Sequence, residues 1–440
     1  MNMKKLITVM SMMLWASVVI AGPTIQQWST TKGSKVLFVA SPEIPMLDVR
    51  VVFAAGSARD AQQPGVAQLT SALLMSGAGN WNADQIASRL ENIGAVVSTG
   101  ADRDMATLSL RSLTDADQLK IALETASVIL SKPTFPIADV ERDKNRLLLG
   151  IKAKQQSPGD IAADAFYAAI YGTHAYASPE EGVAESVQKL KAKDLQAFHQ
   201  QYYVAKNALV VLVGDVSRAQ AEAIAEQLTQ GLATGTKAAA LPTVANKVAN
   251  LEKRIAMPTA QTHILLGQAI VARNDPDYFA LYVGNHILGG SGFASRLMQS
   301  IREDRGLAYS VYSYFAPMAV AGPFTAGMQT RNDQAEAAIA LMREQIKKFV
   351  EQGPTEKELE KSIQNITSGF ALRIDSNKER IGYLAMMGFY DVPLDYLNTF
   401  NEKIRAVTVT DIRDAFTRRV HPEQLALVIV GGAVTKPANK

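Results

Sequence analysis

The sequence predicts an α+β protein of two homologous halves, each a mainly antiparallel sheet packed with helices. Three observations carry that expectation. The chain repeats its own ending: residues 187–214 (VQKLKAKDLQAFHQQYYVAKNALVVLVG) and 404–431 (IRAVTVTDIRDAFTRRVHPEQLALVIVG) share an apolar–basic lead, a helix start at an aspartate, a helical phenylalanine and a strand closing in Val-Gly. Asp194 and Asp411 stand 217 residues apart, as do Gly214 and Gly431, while Phe198 and Phe416 are out of step by one position. Strand patterns come in adjacent pairs and helix patterns in runs, unlike the strict alternation of a doubly wound fold. Between the copies, residues 229–249 lack aromatics and are rich in Ala, Thr, Gly and Lys, as a linker is. The expected organisation is a signal peptide over 1–21, a first unit over 22–228, the linker, and a second unit over 250–440.

The elements follow in order. Lys4 and Lys5 precede an uncharged apolar run over 6–20, and Val19-Ile20-Ala21 offers small or apolar residues where a signal peptidase cuts. The run is shorter than the roughly 20 residues a membrane span needs, so it predicts a secretory signal and a periplasmic protein without stable membrane insertion once the signal is removed. Strands are expected over 35–40 and 47–54, where Val49, Val51 and Phe53 alternate to one side. Helices follow over 65–75 and 82–93, the latter with Asn82 as N-cap. Strands over 95–99 and 105–113 lead into helices over 116–130, 137–155, 161–171 and 187–201. In the second half, a strand over 263–270, helices over 278–288 and 293–303, and strands near 308–315 and 324–329 precede helices as far as Phe416.

Composition removes several functional classes. Nearly half the residues are hydrophobic (48%), enough to build real cores, so a disordered chain is excluded. The net charge is +3 with no basic block, which leaves nucleic-acid binding without a footprint. Zero cysteines exclude disulfides, thiolate zinc, iron–sulfur clusters and cysteine nucleophiles together. The histidines are His174, His199, His263, His286 and His421, and no two share a helical turn, so spacing shows no metal site. No Gly-x-Ser-x-Gly elbow is present, and Gly289-Gly290-Ser291-Gly292 lacks the lysine and spacing of a P-loop.

Two stretches nevertheless resemble a known family. Residues 54–76 (AAGSARDAQQPGVAQLTSALLMS) are similar to the entry into the zinc-binding helix of the insulinase/pitrilysin metallopeptidases, short bacterial branch, and of mitochondrial processing peptidase. Residues 288–315 (LGGSGFASRLMQSIREDRGLAYSVYSYF) resemble that branch's second-domain signature. The resemblance covers essentially the whole mature chain and implies two homologous α+β domains forming half of a clam-shell. In that family His-x-x-Glu-His binds zinc and polarises a water. Here those places hold Gln68, Ser71 and Ala72, and the place of the downstream glutamate ligand holds Gly150. No metal is therefore expected on this chain.

The second-domain motif is kept. Arg302 and Tyr309 match the arginine and tyrosine that, in catalytic relatives, reach across to the zinc centre. A guanidinium fork and a phenol can hydrogen-bond a substrate carbonyl or a forming oxyanion. Arg305 is the rival arginine, closer to Tyr309 and beside the turn glycine. The resemblance thus implies a non-catalytic subunit of an exported heterodimeric zinc endopeptidase. Its partner would be a homologous subunit carrying His-x-x-Glu-His and the zinc, and its substrate an extended peptide. The alternative is a scaffold or peptide-binding protein of the same fold without a proteolytic role.

Overall fold

The computed structural model describes residues 24–245 and 251–432; the expected signal peptide lies outside them. Strands β1 (Gln26–Ser29), β2 (Lys35–Ala40) and β3 (Met46–Phe53) precede helix α1 (Val66–Leu73), a small hairpin of β4 and β5 (Gly77–Ala78, Trp81–Asn82) and α2 (Ala83–Glu91). Then come β6 (Val96–Ala101), β7 (Ala106–Leu113), α3 (Ala116–Ser131), α4 (Ile137–Lys154), α5 (Pro158–Tyr171), α6 (Ala184–Lys189), α7 (Ala192–Tyr202), β8 (Ala208–Gly214) and α8 (Arg218–Thr229). The second half runs β9 (Glu252–Ile255), β10 (Gln261–Val271), α9 (Tyr278–Asn285), β11 (Ala308–Phe315), β12 (Gly322–Arg331), α10 (Ala335–Gln352), α11 (Glu356–Phe370), α12 (Asn377–Phe389), α13 (Tyr396–Ala406), α14 (Val409–Arg419) and β13 (Ala426–Val430).

The duplication is visible in the strand order. The first sheet runs β1-β2-β8-β3-β7-β6, and the second, read from its far end, runs β9-β13-β10-β12-β11. Setting β1 aside, the two paths are the same. Each sheet holds one parallel pair, β2 with β8 and β9 with β13, among antiparallel neighbours. Asp194 and Asp411 also play equivalent parts. Each sits at the third position of its helix and accepts from the backbone N–H of the N-cap, Lys191 or Thr408, at 2.9 Å. The aspartates lock the helix starts rather than begin the helices.

Three expectations need correction. The helix expected over 187–201 is two, because buried Leu190 and the extended Lys191 turn the chain between α6 and α7. The helix expected over 293–303 is a single 3₁₀ turn over Gly292–Ala294, broken at Ser295, before a segment that widens into a π-helix over Met298–Glu303. Strands β1 and β9 and helix α8 were missed; both strands are four residues long, too short to show a period. The linker stretch is pinned rather than loose: Ala205 and Lys206 donate to the carbonyls of Ala233 and Thr234, and Asn207 Oδ1 accepts from Ala238 N at 3.0 Å.

The halves exchange helices. α5, from the first half, lies on the second sheet, where Phe166 and Ile170 pack with Ala426, Val428 and Val430. α12, its counterpart in the repeat, lies on the first sheet over Leu37, Val52, Leu209 and Val211. Gly388 permits that seat, since a Cβ there would stand 2.7 Å from the Leu209 side chain and 2.9 Å from that of Leu37. Each sheet therefore completes its core only with a helix from the other half.

One carboxylate ties the exchange together. Asp104, in the turn between β6 and β7, is 4% exposed. It accepts from the hydroxyl of Tyr176 just beyond α5, from the hydroxyl of Tyr390 at the end of α12 (2.9 Å), and from Ala319 N (2.9 Å). Burial and the Asp104 charge raise the pKa of both phenols, which therefore stay protonated as donors. Next to it, the Arg103 guanidinium lies 3.7 Å over the Tyr167 ring and pairs with Glu180 at 2.5 Å.

Helix α1 is entered through Gly65, at φ +101°, where a Cβ would stand 2.8 Å from the Glu181 carbonyl oxygen. Buried Asp60 receives Gly65 N at 2.6 Å and Ala67 N at 2.9 Å, closing the open end of the helix. Burial pushes the Asp60 carboxyl up to about 7, against the downward pull of those amides.

Three outcomes follow. Asp104→Ala strands two buried hydroxyls and one amide, so it should lower unfolding free energy by about 2–4 kcal/mol in urea titration of the full chain. Tyr390→Phe alone should cost about 1 kcal/mol, and much less once Asp104 is already alanine. Asp60 titrates higher in the folded chain than unfolded, so its contribution is greatest below the ordinary carboxylate range and is lost as pH rises through about 7. Asp60→Asn should therefore cost more, relative to wild type, at pH 5 than at pH 8, by about 2 kcal/mol; a pH-independent difference would contradict this.

Candidate functional site

Gln68 and Ala72 lie one turn apart on α1, Gln68 half-buried and Ala72 exposed. Ser71, between them, turns inward: it is 0% exposed, and its hydroxyl has no hydrogen-bond partner among the described residues. Gly150 is exposed on α4, with nothing within 4 Å of where a side chain would begin. A zinc ion needs three protein ligands of carboxylate, imidazole or thiolate type. The set here offers one amide, one methyl, one buried hydroxyl and no side chain at all. The residues do not fit the metal, and among the described residues no group of three His, Cys, Asp or Glu side chains could hold one.

Three of the histidines make structural contacts. His199 is buried against the Leu130 carbonyl oxygen at 2.8 Å, and burial lowers its pKa. His174 meets Pro242 O at 3.0 Å, holding the linker stretch. His286 lies between Ser362 Oγ (2.8 Å) and Asn365 Oδ1 (3.1 Å).

Arg302 and Tyr309 are brought together. The helical segment ending at Glu303 closes through Gly306 (φ +62°), whose N–H reaches Arg302 O at 2.8 Å, while Leu307 N reaches Ile301 O at 2.9 Å. The chain then enters β11, where pairing with β12 slips between Ala308 and Ser310. Tyr309 is the residue at that bulge and is 78% exposed. Bulges of this kind re-aim a side chain at the edge of a sheet. The Arg302 guanidinium carbon stands 5.0 Å from the Tyr309 ring centroid and 4.7 Å from that of Phe293, which is 67% exposed. Its Nε is 3.5 Å from Glu303 Oε1, leaving most of the fork free of the carboxylate. Arg305 is exposed and takes no part in this stack.

Phe293 was missed as a site residue, because a lone phenylalanine at a helix start passes for packing. Its signal is the glycine run before it. A Cβ at Gly289 would stand 2.4 Å from Ser313 N, so the run exists to press the turn against β11. Asn285 fastens it, donating to Ser313 O at 3.0 Å and accepting from Ser313 Oγ at 2.7 Å. β11 is the outer strand of its sheet: among the described residues β12 is its one strand neighbour, while Asn285 and the turn at Gly289 lie against it at Ser313. Tyr312 and Tyr314, both partly exposed, stack 5.9 Å apart along it.

Comparison with known proteins agrees with this geometry. The family model described as insulinase (peptidase family M16) matches residues 35–182, and that described as peptidase M16 inactive domain matches 189–366. In sequence the chain is similar to an uncharacterized zinc protease YmxG of Bacillus subtilis, 23% identical over 94% of this chain and 100% of the relative. It is also similar to a non-peptidase homolog YmxG of Helicobacter pylori, 25% identical over 90% of this chain and 91% of the relative. Among solved structures, a peptidase M16 inactive domain from Pseudomonas fluorescens superposes with a TM-score of 0.91 at 40% identity, covering 95% of this chain and 100% of that one. With the doubled fold, a filled second-domain motif and blank zinc positions, the chain belongs to the insulinase family, peptidase family M16, as an inactive, peptidase-like member.

Proposed function

We propose that this chain is the non-catalytic subunit of an exported two-subunit zinc endopeptidase. A homologous partner carries His-x-x-Glu-His and its zinc, and this chain closes the chamber and contributes Arg302 and Tyr309. The observation that carries the reading is the Arg302–Tyr309 stack at a bulge on an edge strand. An exposed bulged tyrosine held against a guanidinium adds little to folding; the arrangement makes sense when the pair meets something outside the chain. Two hydrogen-bond donors on a fixed frame suit a peptide carbonyl and the oxyanion formed from it. As an edge strand, β11 suits an extended peptide, which can add to a sheet through its backbone. Export rests on the amino-terminal apolar run, and no helix among the described residues is long and apolar enough to cross a membrane.

A scaffold or peptide-binding role without proteolysis is the second reading. It is favoured by the blank positions Gln68, Ser71, Ala72 and Gly150, and by the non-peptidase name of the Helicobacter relative.

The test is co-purification with a relative bearing His-x-x-Glu-His, followed by peptide cleavage assays. Arg302→Ala should lower kcat by about 100–1,000-fold with the complex intact, and Tyr309→Phe by about 10–100-fold. Unchanged turnover in both variants removes the catalytic contribution. Peptide binding with no cleavage in any mixture selects the scaffold.

A further inference from the structure

A cavity of about 650 Å³ lies between the halves, away from the Arg302–Tyr309 stack. Its wall comes from β2, β3 and β8 of the first half, from 272–274 and 318–320 of the second, from the end of α12, and from the pinned linker stretch at 237–241. Five cations line it, Lys35, Arg59, Lys206, Lys237 and Arg273, against one acid, Asp391. That acid is already taken, since Lys35 Nζ holds it at 2.8 Å and also donates to Gly388 O at 3.0 Å. Among the described residues, the side chains of Arg59, Lys206, Lys237 and Arg273 have no ion-pair or hydrogen-bond partner.

Arg273 is the most telling of these. Its Nε is buried and carries an N–H with no acceptor. The rings of Tyr278 and Tyr390 stand 5.7 Å from its guanidinium carbon, and its backbone is fixed by Met318 O at 2.9 Å. A buried guanidinium donor without an acceptor is unfavourable unless something accepts from it. Four cations without partners among the described residues line one cavity, so a bound anion would meet both the unpaired Arg273 donor and an excess of positive charge. The remaining wall mixes apolar side chains, including Val52, Leu209 and Met318, with Asn207 and Asn274, and the space suits a compact ligand rather than a protein segment.

We propose that this cavity binds a small, multiply charged oxyanion, a diphosphate or a polycarboxylate, clamped between Arg273 and Lys237 with Arg59 and Lys206 closing around it. Because the cations come from both halves and from the linker, occupation ties the three together. The proposal does not depend on the proteolytic reading above.

The test is isothermal titration calorimetry of the full chain at low salt, with inorganic pyrophosphate and with citrate as separate probes. One-to-one binding of either is expected, and the stronger of the two arms tells phosphate from carboxylate. Arg59→Gln and Lys237→Gln, both at accessible positions, should each weaken binding about tenfold. Lys347→Gln, the same charge change on the outer surface of α10, should leave it unchanged. Arg273→Gln should weaken binding most, and thermal unfolding of that variant separates lost binding from lost fold. The proposal is overturned if neither anion binds, if both accessible variants bind as wild type does, or if Lys347→Gln weakens binding equally.

Discussion

Everything in this fold depends on the exchange of α5 and α12 between the two sheets. A sheet with helices on one face leaves the other face apolar and wet. Leu37, Leu209 and Val211 on the first sheet and Val428 and Val430 on the second are side chains of that kind. Covering each with the partner half's helix buries both faces and makes neither half complete alone. The exchange also sets the polar detail. Asp104 gathers donors from the end of α12, from the segment after α5 and from the loop before β12, so one buried acceptor reports whether both helices are home. A carboxylate with three donors tolerates burial; with none it would not.

The same constraint divides what could be read from the sequence. The repeat was legible because both copies end in a helix locked by an aspartate and a strand closing on glycine, and short-range chemistry of that sort leaves a pattern. The α+β class was legible from paired strands and runs of helices. The exchange itself was not. α5 and α12 carry ordinary apolar faces, and nothing local states which sheet receives them. The break at Leu190–Lys191 was hidden because a buried leucine continues the helical period across it. β1 and β9 are edge strands of four residues whose pairing is decided by distant neighbours.

The candidate site divides in a similar way. That Gln68, Ser71, Ala72 and Gly150 cannot ligate zinc follows from residue type alone, and Gly150 with open space beyond it adds geometry to the same conclusion. The adjacency of Arg302 and Tyr309 needed a turn through Gly306 and a slipped register at Tyr309, neither of which has a residue signature strong enough to be read beforehand. Phe293 was invisible for the same reason: its meaning comes from Arg302 lying over it. The cation-lined cavity was unreadable in principle, because its lysines and arginines are scattered from Lys35 to Arg273 and meet only through the fold.

A chain that keeps a costly arrangement after losing the chemistry beside it argues for a use of that arrangement. The residues at the places that resemble the zinc motif offer an amide, a methyl, a hydroxyl and nothing. Among the described residues the Ser71 hydroxyl is buried without a hydrogen-bond partner. In the second half, by contrast, a glycine run that no larger residue could replace, a clamped Asn285–Ser313 pair and a strand bulge all serve to hold one guanidinium against one exposed phenol. Core packing requires none of these, since Tyr309 and Phe293 face solvent. In the proposed role the cost of presenting them is offset by contact with a substrate outside this chain, and a donor pair on an edge strand suits a peptide backbone.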